Sequence, residues 1–227
     1  MKYSLWKLLA LLFLFIFTYS LGLIPLIFYL KFIFSFLDFN NLLHLFSLSF
    51  LMVLGFVVFV LGEILSTSGM IWLLRLKYGE GVYELSLDDP RMFKWLAYQT
   101  IYYPFGYFLY SLTVDPLKEI HLKLCGAKIG KNVTLGGFIA DPCLFEVGDN
   151  SIVGGFCEIL SHSAERGKLI VKKVKIGRNC LVGEYSLVMP GVRMEDGSIL
   201  GAHSLATKDQ VLKKGKVYGG APARLVK

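Results

Sequence analysis

Charged side chains are almost absent from the first third of the chain. Residues 5–65 are dominated by Phe and Leu and contain only four charged residues: Lys7, Lys31, Asp38 and Glu63. This absence excludes a water-exposed globular fold for the segment. It predicts two membrane-spanning helices, at residues 5–30 and 42–65, because each run exceeds the ~20 residues needed to cross a hydrocarbon core. The loop between them is short, so the pair should form an antiparallel hairpin.

Cysteine is also scarce. The four cysteines have neither the spacing of a zinc finger nor the density of a disulfide scaffold, which excludes both as the basis of the fold. We expect them to be small buried side chains in a reducing compartment. The formal net charge of +7 suits anionic lipid or phosphate-bearing small molecules. Nucleic acid is not an expected partner, because no stacking platform or Arg-rich helix accompanies the basic residues.

Basic residues flank the hairpin at both ends. Lys2 and Lys7 lie at the start of the first span, and Arg75 and Lys77 follow the second. The positive-inside rule then places both ends of the hairpin, and the C-terminal half with them, in the cytoplasm of a multi-pass membrane protein. The first apolar run is too long for the apolar region of a secretory signal, so we expect a retained anchor.

A third apolar stretch, residues 92–112, is rich in Tyr, Phe and Trp and contains Pro104 and Gly106. Aromatic density with a central breaker predicts an interfacial or re-entrant segment. A third crossing is the alternative, and it would put the C-terminal half on the other side of the membrane. The expected regions are therefore a transmembrane helical hairpin (1–68), an interfacial segment (69–127) and a repeat domain (128–227).

A six-residue repeat fills the C-terminal half. Stepping by six from Ile129 to Ile159, and again from Ile170 to Leu212, lands on an aliphatic residue or Ala every time except at Asp141, if Met194 is counted as aliphatic. Glycine follows seven of these positions, and the fifth position of most repeats is small or aliphatic. This period predicts a parallel β-helix with a triangular coil of three short strands. The glycines would permit either a tight turn or a close approach of two backbones.

Four motifs carry a family resemblance: IGRNC at 176–180, VG at 182–183, MPGV at 189–192 and GGAPAR at 219–224. They resemble the hexapeptide-repeat acyltransferase superfamily, from about Lys128 to the C-terminus. The wider layout, with membrane helices before the repeats, is similar to the C-terminal region of poly-lysine-synthetase-like proteins. The resemblance implies an all-β, left-handed parallel β-helix after the α-helical region, a homotrimer, and acyl-CoA held between neighbouring subunits.

The repeat register jumps between Ile159 and Ile170, which are eleven residues apart. We expect five extra residues near 165–169 to bulge from a corner of the coil. His162 directly precedes this bulge, and the resemblance implies that a histidine at such a loop is a general base. Imidazole suits proton transfer near neutral pH. Glu165 or Glu184 would orient its ring, and a backbone N–H near the corner would stabilise the oxyanion.

Counting three repeats per coil places Tyr185 and His203 on the same edge as His162, with the two histidines about 10 Å apart. We expect Tyr185 and His203 to contact substrate, with the histidines meeting only across a subunit interface. Cations near the end of the chain could hold the phosphates of CoA. The predicted CoA-binding residues are Gly201, Ala202, Lys208, Gly220 and Arg224.

The sequence thus predicts transfer of an acyl group, most simply acetyl from acetyl-CoA, to a hydroxyl or amine. The acceptor would be a small-molecule or lipid-linked precursor at the bilayer, and no metal is expected. One alternative is a metalloenzyme like the γ-carbonic anhydrases, which share the left-handed β-helix that the resemblance implies. His162 and His203 would then be one ligand short of a catalytic zinc site. The other alternative is a non-catalytic trimeric scaffold at the membrane.

Overall fold

A computed structural model describes residues 5–37, 41–112 and 114–226 of the chain. Lys2 and Asp38, which entered the topology argument, lie outside these residues. Four α-helices come first: α1 (Leu5–Phe34), α2 (Leu42–Leu73), α3 (Pro90–Ser111) and α4 (Asp115–Cys125). A short strand, β1 (Gly81–Glu84), separates α2 from α3. Everything from β2 (Lys128–Ile129) onward is built from short strands.

Helices α1 and α2 are the predicted hairpin. Among the described residues they are the two helices long and apolar enough to cross a membrane, and most of their apolar side chains are exposed. Both run beyond the sequence-based bounds. Gly62 lies directly on the backbone of Gly22, where a Cβ atom would collide with the Gly22 carbonyl oxygen. The small residues therefore let the two helices approach closely.

Helix α3 continues past Pro104, so the expectation of a break at this residue is wrong. Asp89 caps its N-terminus by accepting a hydrogen bond from the Arg91 N–H at 2.8 Å. Near Pro104 the hydroxyl of Tyr19, from α1, accepts from the Phe105 N–H at 3.2 Å and donates to the Ile101 carbonyl at 2.9 Å. The hydroxyl thereby bridges the helical bond between these two residues and satisfies both backbone groups.

The C-terminal half is a parallel β-helix with three faces. Face 1 holds β2, β5 (Phe145–Val147), β10 (Val174–Ile176), β13 (Arg193–Met194) and β16 (Val211–Leu212). Face 2 holds β3 (Thr134–Leu135), β6 (Ile152–Val153), β11 (Leu181–Val182), β14 (Ile199–Leu200) and β17 (Val217–Gly219), with the antiparallel β18 (Arg224–Leu225) at its end. Face 3 holds β4 (Phe138–Ile139), β7 (Glu158–Ile159), β12 (Leu187–Val188) and β15 (Leu205–Ala206). The chain passes the faces in the order 1, 2, 3, so corner 1 follows face 1, corner 2 follows face 2 and corner 3 follows face 3.

The interior register differs from the stepped one at the first coil. Ile139, not Asp141, pairs with Ile159 on face 3. Only four residues separate Leu135 from Ile139, and eight separate Ile139 from Val147, so a two-residue deletion is followed by a two-residue insertion. The insertion forms a 3₁₀ turn at Pro142–Leu144 and moves Asp141 into corner 3. Asp141 therefore breaks the apolar pattern because it is not a strand residue.

The predicted bulge is a β-hairpin of β8 (His162–Glu165) and β9 (Lys168–Val171). Successive coil positions Ile159 and Ile176 are 17 residues apart, so the insertion has eleven residues rather than the five expected. Ile170, taken as a repeat position, instead lies on β9 and pairs with Val82 of β1. The hairpin thus forms a three-stranded antiparallel sheet with the segment between α2 and α3.

The repeat glycines serve close backbone approach rather than tight turns. None of the seven has a positive φ. A Cβ on Gly154 would lie 2.8 Å from the backbone of the next coil, at Glu184 N and Val182 O. Buried serines add bonds between coils, as where Ser151 Oγ donates to the Gly177 carbonyl at 2.8 Å. Three of the four cysteines are buried and all are free, as expected.

Candidate active site

His162 stands at corner 3 of the second coil, where the chain leaves β7 and enters the hairpin. Its Nδ1 lies 2.7 Å from Oδ2 of Asp141, at the same corner one coil earlier. The imidazole side chain is 22% exposed, whereas Asp141 is fully buried. Among the described residues nothing hydrogen-bonds Nε2. Asp141 therefore contacts Nδ1 of the ring, and Nε2 is available to another group.

Asp141 accepts hydrogen bonds from four further groups. Oδ2 also accepts from the backbone N–H of Ser161 at 2.9 Å. Oδ1 accepts from the Tyr78 hydroxyl at 2.5 Å, from Gln99 Nε2 at 2.8 Å and from Trp95 Nε1 at 3.3 Å. Every partner is a donor, which matches the acceptor-only character of an ionised carboxylate. A buried carboxylate needs this degree of pairing to be stable.

Three of these donors come from the helical half of the molecule. Trp95 and Gln99 lie one turn apart on α3, and Tyr78 lies in the segment that leads from α2 to β1. Burial, reinforced by the neighbouring Asp141, raises the pKa of Tyr78 well above its usual value, so the phenol stays a donor. The site is consequently assembled where α3 packs against corner 3.

Trp95 contacts both members of the pair. Besides its bond to Asp141, its ring meets the His162 imidazole edge-on, with centroids 4.9 Å apart at 64°. This contact restricts rotation of the imidazole ring and so helps to keep Nδ1 directed at Asp141. The buried Oε1 of Gln99 has no hydrogen-bond partner among the described residues, so the amide is oriented by its donor side alone.

The orienting residue is Asp141, and the expectation of Glu165 or Glu184 is wrong in this respect. Glu165 lies at the far end of β8 and pairs with Lys208, and its carboxylate also accepts from Ser163 Oγ at 3.3 Å. Glu184 is exposed at corner 2. A catalytic role for these two residues stays a prediction. The signal for Asp141 was present in the sequence, because it was the single polar residue in the stepped register.

Tyr185 and His203 do not share an edge with His162. They lie at corner 2 of the third and fourth coils, between faces 2 and 3. Counting Ile170 as a coil position moved every later repeat by one face, which explains the error. The two rings stack on each other at 5.0 Å, and Phe156 continues the stack at 4.9 Å. All three have positive φ, which is uncommon for such residues.

The predicted CoA-binding residues fall into separate places. Gly201, Ala202 and Gly220 lie at corner 2, beside the aromatic stack. Lys208 lies at corner 3 of the fourth coil, on the same edge as His162, and forms an ion pair with Glu165. Arg224 is exposed on β18, at the end of face 2. Within one chain the structure does not bring these five together.

A three-histidine metal site finds no support. His162 and His203 occupy different corners, and no group of three His, Cys, Asp or Glu side chains in residues 5–37, 41–112 and 114–226 could hold a metal ion. A buried histidine, His121 on α4, lies 3.0 Å from the Thr67 hydroxyl and stacks on Tyr102. Burial lowers the pKa of His121 to about 3, so the ring stays neutral.

The chain is similar to known proteins over about half of its length. No protein-family model matches the chain. A putative acetyltransferase of Bacillus subtilis is 30% identical over 103 residues, which cover 44% of this chain and 59% of that protein. The delta-poly-L-ornithine synthetase of Acinetobacter baumannii is 26% identical over 119 residues, or 52% of this chain and 9% of that protein. The chain therefore spans less than two thirds of the length of either relative.

The chain is also similar to solved structures. A hexapeptide-repeat-containing acetyltransferase of Vibrio cholerae, crystallised with acetyl coenzyme A, covers 54% of this chain and 84% of its own, at 14% identity and a TM-score of 0.46.

Proposed function

Since the homologues and structural neighbours of its left-handed β-helix are hexapeptide-repeat acetyltransferases, we propose that this chain is an acyl-CoA-dependent acyltransferase at a membrane. The predicted resemblance and fold class are confirmed. The donor is acyl-CoA, most simply acetyl-CoA. The acceptor is a hydroxyl or amine on a small-molecule or lipid-linked precursor.

The chemistry follows from the Asp141–His162 pair. Asp141 accepts a hydrogen bond from Nδ1–H, which keeps the ring proton on Nδ1 and leaves Nε2 unprotonated and ready to accept a proton. Nε2 takes the proton of the acceptor hydroxyl or amine as that atom attacks the thioester carbonyl. The tetrahedral intermediate collapses, the C–S bond breaks, and the imidazolium returns its proton to the leaving thiolate. Asp141 stabilises the transient imidazolium charge, and a backbone N–H at the corner stabilises the oxyanion.

One observation carries this proposal: a buried carboxylate with five donors holds the imidazole through one nitrogen only. A histidine that served only to fill a corner would not need a desolvated carboxylate beneath it, since burying that charge is costly. Perturbed or specially supported ionisable groups of this kind concentrate at functional sites.

Subunit organisation completes the proposal. A homotrimer would place corner 2 of one subunit against corner 3 of the next, so that Tyr185 and His203 contact the substrate held by the neighbour's His162. Gly201, Ala202, Gly220, Lys208 and Arg224 would then line one groove for CoA from two chains. The stacked, exposed rings at corner 2 support this arrangement, because they present a rigid face without an occupant in the single chain.

The membrane arrangement is the last element. The hairpin would anchor the chain with the β-helix on the cytoplasmic side, where acyl-CoA is made available. Lys7 supports placing the start of α1 and the β-helix on one side of the membrane, since its ammonium reaches the Leu87 carbonyl at 2.8 Å and Asp88 at 2.9 Å, in the segment that precedes α3. The basic residues at both ends of the hairpin favour the cytoplasm as that side.

The test is acetyl transfer by the full chain in proteoliposomes, with acetyl-CoA as donor and two acceptor panels, one of sugar hydroxyls and one of amines. We expect His162→Ala to lower kcat by about 10²–10⁴-fold, the usual contribution of a general base. Ser163→Ala is the matched control, because Ser163 is the next residue on β8 and bonds only Glu165. Equal rates for the two variants would remove His162 as the base. Failure of the wild type to bind acetyl-CoA would favour the scaffold alternative.

The amine panel has its own motivation. The Acinetobacter relative is named as a synthetase of delta-poly-L-ornithine, and a bond to an ornithine side chain is made at an amine. Transfer only to sugar hydroxyls would assign the chain to O-acylation, and transfer only to amines to N-acylation.

A further inference from the structure

A cavity of about 590 Å³ opens where α2 ends, and it is lined by three cations. Arg75 and Lys77 come from the segment after α2, and Lys94 comes from α3. The remaining lining residues, Ile71, Trp72 and Leu73, belong to the last turn of α2. None of the ion pairs formed by the described residues includes any of the three cations.

No carboxylate among the described residues pairs with the cations that line this cavity. Some other groups of cations do have a shared or neighbouring carboxylate. Glu146, for example, contacts Lys128, Lys173 and Lys175, and Asp209 contacts Lys172. Three like charges around one cavity repel one another, and an anion bound from outside the chain would relieve that repulsion. The cavity therefore has the charge of an anion-binding site.

Its location identifies the source of the anion. Helix α2 is one of the two candidate membrane spans, and the exposed fractions of Trp72 and Leu73 at its end are 74% and 65%. Exposed Trp beside basic residues at the end of a span marks the headgroup level of a bilayer. At that depth the abundant anion is the phosphate of a lipid headgroup, and basic pockets beside membrane helices bind such groups.

The backbone at Arg75 points the same way. Arg75 follows the C-cap of α2 with φ of 51°, the left-handed position that glycine usually takes at the end of a helix. A non-glycine residue there is strained, because its Cβ is crowded in the left-handed conformation. An arginine in this position directs a guanidinium, which binds phosphate oxygens in pairs, to the mouth of the cavity.

We propose that Arg75, Lys77 and Lys94 bind the phosphate of an anionic membrane lipid. The site is separate from the His162 site, although Lys77 and Lys94 directly precede Tyr78 and Trp95, which donate to Asp141. Lys77 is held in place by packing of its stem over Gly126, at the end of α4. Occupation of the site would hold the end of α2 and the start of α3 together at the membrane surface.

The experiment uses the full chain in neutral detergent and follows its thermal shift during titration with dihexanoyl phosphatidylglycerol, dihexanoyl phosphatidylcholine or inorganic phosphate. The variant is the triple substitution Arg75→Ala, Lys77→Ala and Lys94→Ala. The matched control is Lys131→Ala, Lys214→Ala and Lys216→Ala, which removes the same charge from exposed positions of the β-helix. No acyl donor or acceptor is present, so the result does not depend on the proposed function.

We expect saturable stabilisation by phosphatidylglycerol in the wild type and in the control, and a Kd at least about tenfold weaker in the cavity variant. Equal Kd values for the cavity variant and the control would overturn the proposal. Equal stabilisation by inorganic phosphate would keep an anion site but overturn the lipid as its source. Equal stabilisation by phosphatidylcholine would overturn the requirement for net negative charge.

Discussion

Two corners of the same β-helix carry a histidine, and they differ in what packs against them. At corner 3, His162 is bound to a buried carboxylate that α3 covers with Trp95 and Gln99. At corner 2, His203 is exposed and stacks on Tyr185, and no carboxylate of the described residues hydrogen-bonds its ring. The six-residue repeat does not distinguish the two corners. The difference teaches that the inserted Asp141 and the helical half that covers it, rather than the repeat, distinguish His162 from His203.

The largest expected effect comes from Asp141→Asn. All five neighbours of Asp141 donate, so an asparagine would place its NH₂ against at least one donor. With the NH₂ toward His162, Nδ1 must become the acceptor, and the proton moves to Nε2. We expect kcat to fall by about 10³-fold with KM little changed. Asn150→Asp, at an exposed position of corner 1, is the control, because an exchange between carboxamide and carboxylate there should leave kcat unchanged. A decrease in kcat of less than tenfold in Asp141→Asn would remove Asp141 as the orienting residue.

A smaller loss is expected from Trp95→Phe. The phenyl ring keeps an edge against His162 but loses the donor to Asp141. We expect kcat to drop by about tenfold and the pH profile of kcat to move, because the carboxylate loses one partner. Trp6→Phe is the control, since Trp6 is 79% exposed and far along the chain from the site. A change in thermal stability without any movement of the pH profile would show a purely structural role.

His121 provides a third kind of histidine, buried with a hydroxyl partner and no carboxylate. Because burial lowers its pKa to about 3, the unfolded chain gains a proton below about pH 6.5 that the folded chain takes only near pH 3. Stability is therefore present above pH 6.5 and is lost as the pH falls. We expect the unfolding free energy to decrease by about 1 kcal/mol for each pH unit between 6 and 4. His121→Gln should flatten this slope in thermal melts; an unchanged slope would assign it to other groups.

The smallest effect is expected at corner 2. If the rings there bind substrate for a neighbouring subunit, His203→Ala should raise KM about fivefold and leave kcat unchanged, because binding lost equally in ground and transition states appears only in KM. Tyr185→Asn should act in the same direction while relieving the positive φ of a bulky residue. Unchanged KM in both variants would mean that corner 2 has no part in the reaction and that corner 3 differs from it in function as well as in structure.

The repeat half was largely predictable, because its period is read directly from the chain. The coil positions from Ile176 onward follow the six-residue rule without exception to Leu212. Errors arose where length changes hid inside the pattern. The two-residue deletion before Ile139 is offset by the two-residue insertion after it. Asp141 therefore keeps the six-residue spacing although it is not a strand residue. The long hairpin contains an aliphatic residue, Ile170, at a spacing that imitates the next repeat.

The site was half predictable for a related reason. His162 was identified from the insertion, which is a local feature of the sequence. Its partners were not, because Tyr78, Trp95 and Gln99 reach Asp141 from 42 to 63 residues away in the chain. No spacing rule links a helix to the corner on which it packs. The continuous α3 was missed because Tyr19, which bridges the bond beside Pro104, lies on another helix.

The pairing of β1 with β9 has a consequence for how this protein can be divided. A strand from the segment before α3 completes the sheet of the hairpin that begins with His162, so one sheet contains backbone from both halves. A cut at residue 127 would separate the architectures cleanly yet leave each fragment with an open strand edge made to fit the other. Two such fragments, expressed apart, should recognise each other by strand addition. The protein is thereby a natural candidate for a split reporter in which reassembly returns the donors Tyr78, Trp95 and Gln99 to Asp141.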